Sequence, residues 1–100
     1  MLVSLTCHRD TPSADVRSIE VAVEGSVDGR LWLRYQVDAP LRSLALPRPV
    51  DPGRANGLWK ATCFELFVRC LESDGYAEFN FSPSSQWAAY RFTDYRAHMS

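Results

Sequence analysis

The chain is predicted to be all-β, with antiparallel strands arranged as a sandwich. Three observations predict this. Apolar residues recur with a period of two along several segments, clusters of Gly, Pro, Asp and Ser separate those segments, and no stretch carries a convincing helical stripe.

The first strand is placed near Val3, and Thr11 to Arg17 is at most a turn or a short helix. Ile19, Val21, Val23 and Val27 alternate with Glu20, Ala22, Glu24 and Ser26, while Leu31, Leu33, Tyr35 and Val37 alternate with Trp32, Arg34, Gln36 and Asp38. Both segments read as half-buried strands. For their odd-numbered apolar residues to share a face, paired positions must have an even sum, which excludes a two-residue turn at Asp28-Gly29. A three-residue loop Val27-Asp28-Gly29, with Gly29 left-handed in a bulge, pairs Val23 with Leu33 and Val21 with Tyr35.

The second hairpin follows the same arithmetic. Phe64, Leu66, Val68 and Cys70 are even, and Ala77, Phe79 and Phe81 are odd, so the loop must be even in length. Glu72-Ser73-Asp74-Gly75 fits, pairing Val68 with Phe79 and Leu66 with Phe81 over a deeply buried core face. The opposite face then pairs Glu65 with Ser82, Phe67 with Asn80 and Arg69 with Glu78. A last strand surrounds Trp87, and a seventh is weighed at Ser43-Leu44-Ala45-Leu46. The prolines and glycines between Pro47 and Gly57 mark a surface loop that sustains neither ladder nor helix and delivers Leu58 and Trp59.

One hundred residues, 46% of them hydrophobic, make one small domain over residues 1–100 that buries roughly 60–65% of its unfolded surface. A net charge of -1 leaves no electrostatic footprint for nucleic acid or an anionic membrane. Cys7, Cys63 and Cys70 form no zinc-like spacing with His8 or His98 and are expected to be reduced, buried thiols. The N-terminus has no basic region before its short apolar run, and no segment approaches the ~20 apolar residues of a membrane span, so a cytoplasmic protein is expected.

The polar face of the second hairpin is the candidate site. Leu-Trp-x-x-x-Cys-Phe-Glu-x-Phe from Leu58, Tyr-x-Glu-Phe-Asn-Phe-Ser-Pro-Ser from Tyr76, and Gln-Trp-Ala-Ala-Tyr-x-Phe-x-x-Tyr-Arg from Gln86 are dense motifs within Gly57 to Met99. This run resembles the bacterial DOMON-like domain family, β-sandwich proteins related to the family 9 carbohydrate-binding modules. The resemblance implies a non-catalytic carbohydrate-binding face, with Trp59 before a strand and Glu65 within it holding the sugar, and Trp87 as a second aromatic wall. Stacking of pyranose C–H faces on indole, and hydrogen bonds from vicinal hydroxyls to carboxylate and amide, suit such a ligand. Glu65, Glu78, Asn80 and Arg91 are the polar candidates. Related domains also bind haem through Met and His on strands. Here Met1, His8, His98 and Met99 lie near the termini, and no cofactor is expected.

Structural roles compete with these. Arg69 and Glu78 are expected to neutralise each other across the strands, Trp59 to plug one end of the sandwich, and Asn80 to fix the Ser82-Pro83-Ser84 turn. Glu65, flanked by Cys63, Phe64, Leu66 and Phe67, needs a wet site or a partner such as Arg91. Glu65 and Glu78 form a carboxylate pair of the kind glycosidases use, but the register above staggers them by about 13 Å, beyond the usual ~5–9.5 Å. An enzyme is therefore not expected. The alternative is a protein-interaction or structural module, since relatives have further strands after the Tyr-Arg segment. A C-terminally truncated sandwich would leave its core face exposed for a homodimer.

Overall fold

The computed structural model describes residues 1–69 and 74–92. They form strands β1 (Leu2–Ser4), β2 (Ser18–Gly25), β3 (Leu31–Asp38), β4 (Gly53–Arg54), β5 (Phe64–Arg69), β6 (Tyr76–Phe81) and β7 (Gln86–Phe92), with 3-10 turns at Leu41–Ser43 and Leu58–Lys60. The chain is all-β. One sheet has the order β1-β2-β3 and the other β4-β7-β6-β5, and every pairing is antiparallel except β4 with β7. Two such sheets are the material of a small β-sandwich. No helix among the described residues is long and apolar enough to cross a membrane. Contacts divide the chain into two units, Met1–Leu44 and Ala45–Ser100.

In the first unit the β2–β3 hairpin has the register its alternation demands, with Val21 opposite Tyr35 and Val23 opposite Leu33. Gly29 takes φ +85°, and its amide donates to the Ser26 carbonyl at 3.2 Å. Ser26 returns the chain to register, its amide donating to the Arg30 carbonyl at 2.9 Å. β1 pairs with β2 through Val3 and Val21, and Val21 is the buried centre of this sheet.

The second unit departs from expectation in several places. In the β5–β6 ladder Leu66 faces Phe79 and Phe64 faces Phe81, two residues away from the predicted register. The faces are unchanged because a two-residue slip preserves parity. Six residues, 70–75, therefore separate the strands; Cys70 and the first half of the predicted turn, Glu72 and Ser73, lie outside the described residues. Arg69 consequently faces Tyr76, and Glu78 faces Phe67. Ser43–Leu46 is not a strand, since its start closes the 3-10 turn. The additional strand is β4, inside the segment expected to be an unpaired loop.

β6 and β7 are joined by a three-residue loop, Pro83–Ser85, closed by the Ser82 amide donating to the Gln86 carbonyl at 3.0 Å and fixed by hydroxyls rather than by Asn80. Ser84 is buried, with its Oγ 2.8 Å from Ser82 Oγ and 3.2 Å from Gln86 Oε1. This turn pairs Asn80 with Ala88 and Phe79 with Ala89. Phe64, Leu66, Val68, Phe79 and Phe81 share a face as predicted, but they are not deeply buried: the phenylalanines are half-buried and Val68 is 45% exposed. The buried residues, Asn80, Ala88 and Phe92, belong to the opposite face.

Candidate functional site

That opposite face is a lattice three strands wide. Reading from β5 through β6 to β7, its rows are Glu65, Asn80, Ala88; then Phe67, Glu78, Tyr90; then Arg69, Tyr76, Phe92. Glu78 is the central position. Phe67 and Tyr90 flank it on the neighbouring strands, and Asn80 and Tyr76 precede and follow it along the lattice. Tyr76 stacks on Phe92 with centroids 4.8 Å apart, and Phe67 tilts against Tyr76 at 6.1 Å.

The connection from β4 to β5 explains why this face is the buried one. β4 is at one edge of the sheet and β5 at the other, so residues 55–63 must cross over β7 and β6. Asn56 Oδ1 accepts from Tyr90 Oη at 2.8 Å, and the Arg54 guanidinium lies 5.3 Å from the Tyr90 ring centroid. These contacts put the crossover on the Glu78 face, where the Leu58–Lys60 turn meets β6 and β7. Gly57 starts that turn at φ +73°, a conformation that favours glycine. Trp59 is left 66% exposed beside Lys60, whose Nζ is 5.8 Å from the indole centroid, so Trp59 is no hydrophobic plug.

Cys63 ends the crossover next to the carboxylates. Burial pushes its thiol above the usual range, the Glu65 charge adds to the shift, a backbone hydrogen bond with Phe81 opposes it, and Glu78 contributes a smaller rise. Cys7 is exposed rather than buried, and both described cysteines are free thiols. Asn80 is 2% exposed; with its amide nitrogen assigned toward Glu78 it donates to Glu78 Oε2 at 3.0 Å and to the Phe79 carbonyl at 3.2 Å. Asn80 therefore holds Glu78 in place.

The structure brings Glu65, Glu78 and Asn80 together under the crossover that presents Trp59. It does not bring Trp87 and Arg91 to them. Both are odd-numbered on β7 and stand on the face of Phe79 and Phe81, so Arg91 is not the partner for Glu65. The earlier stagger argument also changes. Glu65 and Glu78 are diagonal neighbours, about 7–8 Å apart at Cα, so distance no longer excludes a cooperating carboxylate pair. Sequence reasoning missed Tyr90, Phe67 and Cys63. The odd length of the Pro83–Ser85 loop, which sets Ser82 opposite Gln86, is the signal that pairs Tyr90 with Glu78. Among the described residues no three His, Cys, Asp or Glu side chains are grouped to hold a metal ion. Set against protein-family models, curated proteins and solved structures, the chain matches none.

Proposed function

We propose that the Glu78 face of the β4–β7 sheet binds a carbohydrate without cleaving it. The observation that carries this reading is the lattice itself. An exposed carboxylate, Glu65, lies diagonal to a second, Glu78, which a buried amide orients, with Phe67 and Tyr90 on either side. Two carboxylates at this spacing suit the hydroxyls of one sugar ring or of neighbouring rings. The exposed indole of Trp59 supplies a flat apolar surface for C–H stacking. The resemblance of these same motifs to DOMON-like and family 9 carbohydrate-binding sequences supports the reading, with Trp59 and Glu65 in the expected roles.

A thermal-shift panel of mono- and oligosaccharides tests it, since a ligand of the folded state raises the melting temperature. At least one sugar should do so, and Glu65→Gln and Trp59→Ala should each abolish the shift while leaving the unliganded transition in place. A panel with no active member, or one whose shift survives both substitutions, overturns the reading. Nitrophenyl glycosides of the active sugars read the same site for hydrolysis, and turnover that is lost in Glu78→Gln would replace binding with catalysis.

A second reading has its own observation. β5 is the terminal strand of its sheet and carries Phe67, 49% exposed, and Val68, 45% exposed. A strand of this kind suits pairing with a strand of another protein chain, the interaction-module alternative.

A further inference from the structure

The first unit holds a cleft that the carbohydrate reading does not use. It lies between the chain leaving β1 and the start of β2, with a volume of about 290 Å³, just below the ~300–1,000 Å³ typical of drug-sized ligand sites. Its occupant is therefore small. Leu5, Val16 and Ile19 form apolar walls, and the one charged residue lining it is Arg17. Among the described residues Arg17 makes no ion pair; its backbone amide donates to the Asp38 carbonyl at 2.8 Å, which fixes the residue at the cleft while its guanidinium stays available. Ser13 Oγ accepts from the Val16 amide at 3.3 Å, so its hydroxyl proton is free to donate.

One planar cation, the hydroxyls of Thr6, Ser13 and Ser18, and three apolar walls, with no carboxylate in the lining, are complementary to a single negative charge on an apolar body. We propose that this cleft binds a small monocarboxylate with a short apolar body. The carboxylate pairs with the Arg17 guanidinium and accepts from Ser13 Oγ, and the apolar body lies against Leu5, Val16 and Ile19. Polyanions are disfavoured because a second charge would have no cation to meet. A charged amine is excluded by Arg17 itself.

Hexanoate is the probe, titrated into the isotopically labelled full chain. The methyl resonances of Leu5, Val16 and Ile19 should shift saturably, and hexan-1-ol, hexylammonium and inorganic phosphate should each bind at least tenfold more weakly. Arg17→Ala should raise the hexanoate Kd about tenfold, the loss of one charge-assisted pair, with Arg17→Lys falling between. Ser13→Trp keeps Arg17 but fills the cleft, and should abolish the shifts; the amide spectrum of the β2–β3 hairpin checks that each variant is folded. Cys7 also lines the cleft and is exposed, so hexanoate should slow its alkylation and leave that of Cys63 unchanged. Hexan-1-ol equalling hexanoate, an Arg17→Ala Kd equal to that of the parent, or the absence of saturable methyl shifts would each overturn the proposal.

Discussion

Glu65 stands directly across the β5–β6 ladder from Asn80, an exposed carboxylate opposite an amide that is only 2% exposed. The pair sets a side chain that faces solvent opposite one that does not. Asn80 spends its donors on Glu78 and the Phe79 carbonyl, so its contribution is to orientation and stability.

Asn80→Ala should therefore destabilise the chain by about 1–3 kcal/mol, the usual effect of stranding buried partners. Asn80→Asp should be worse at neutral pH, because it sets a second negative charge beside Glu78. Protonation of either carboxylate relieves that repulsion, so the lost stability should return as pH falls. Urea unfolding of both variants at neutral and mildly acidic pH measures this; an aspartate variant that is insensitive to pH would refute the Glu78 contact.

Phe92 and Phe79 provide a comparison of the two faces. Phe92 is 7% exposed and stacked on Tyr76, so Phe92→Ala should cost about 3–5 kcal/mol. Phe79 is half-buried, and Phe79→Ala should cost about 1–2 kcal/mol. Equal losses in a denaturant titration would mean that the Phe79 face is buried as deeply as the Glu78 face.

Two glycines separate backbone strain from crowding. A Cβ at Gly29 or at Gly25 would meet no atom within 4 Å, but only Gly29 has positive φ. Gly29→Ala should lower stability by about 1–2 kcal/mol. Gly25→Ala should be neutral or stabilise by about 0.5 kcal/mol. Calorimetric melting of the two variants decides the matter.

The Cys63 thiol gives a pH dependence whose sign is fixed. Its folded pKa is raised, so the unfolded chain ionises first as the solution becomes alkaline, and the stability it contributes is lost as pH rises through the folded value. Cys63→Ala should flatten the alkaline fall in stability. Peptide-resolved alkylation should find Cys7 reacting faster than Cys63.

How much of this was readable in the sequence depended on how local each decision was. The β2–β3 register followed from parity together with a loop too short to offer another solution, and Gly29 settled the turn. The β5–β6 register did not follow, because pairing Leu66 with Phe79 or with Phe81 leaves every side chain on the same face. Alternation distinguishes an odd slip from none but is blind to a slip of two. β7 carries apolar groups on both sides, Trp87 and Ala89 on one and Ala88, Tyr90 and Phe92 on the other, so its period could not say which side joined Glu78. The burial of Asn80 was hidden for a different reason: it is imposed by the 55–63 crossover, which no local pattern announces. The carboxylates and Trp59 stood out because hydrophobic surroundings make charged and large aromatic residues conspicuous wherever the strands place them.

The β4–β7 rung also sets an order of events in time. The β2–β3 hairpin closes over three residues, whereas the Ala55 amide reaches the Trp87 carbonyl, at 2.9 Å, and the Val50 amide reaches the Ser84 carbonyl, at 2.9 Å, only across more than thirty intervening positions. Closing so long a loop before β6 and β7 have met would sacrifice chain entropy with nothing yet to hold it, so β4 is expected to dock last on the folding route. What assembles last on few bonds also opens most readily. In native-state hydrogen exchange the amides of Val50 and Ala55 should be released well before those of the β2–β3 ladder, and each such opening lifts the strand from which the crossover, and with it Trp59, is launched.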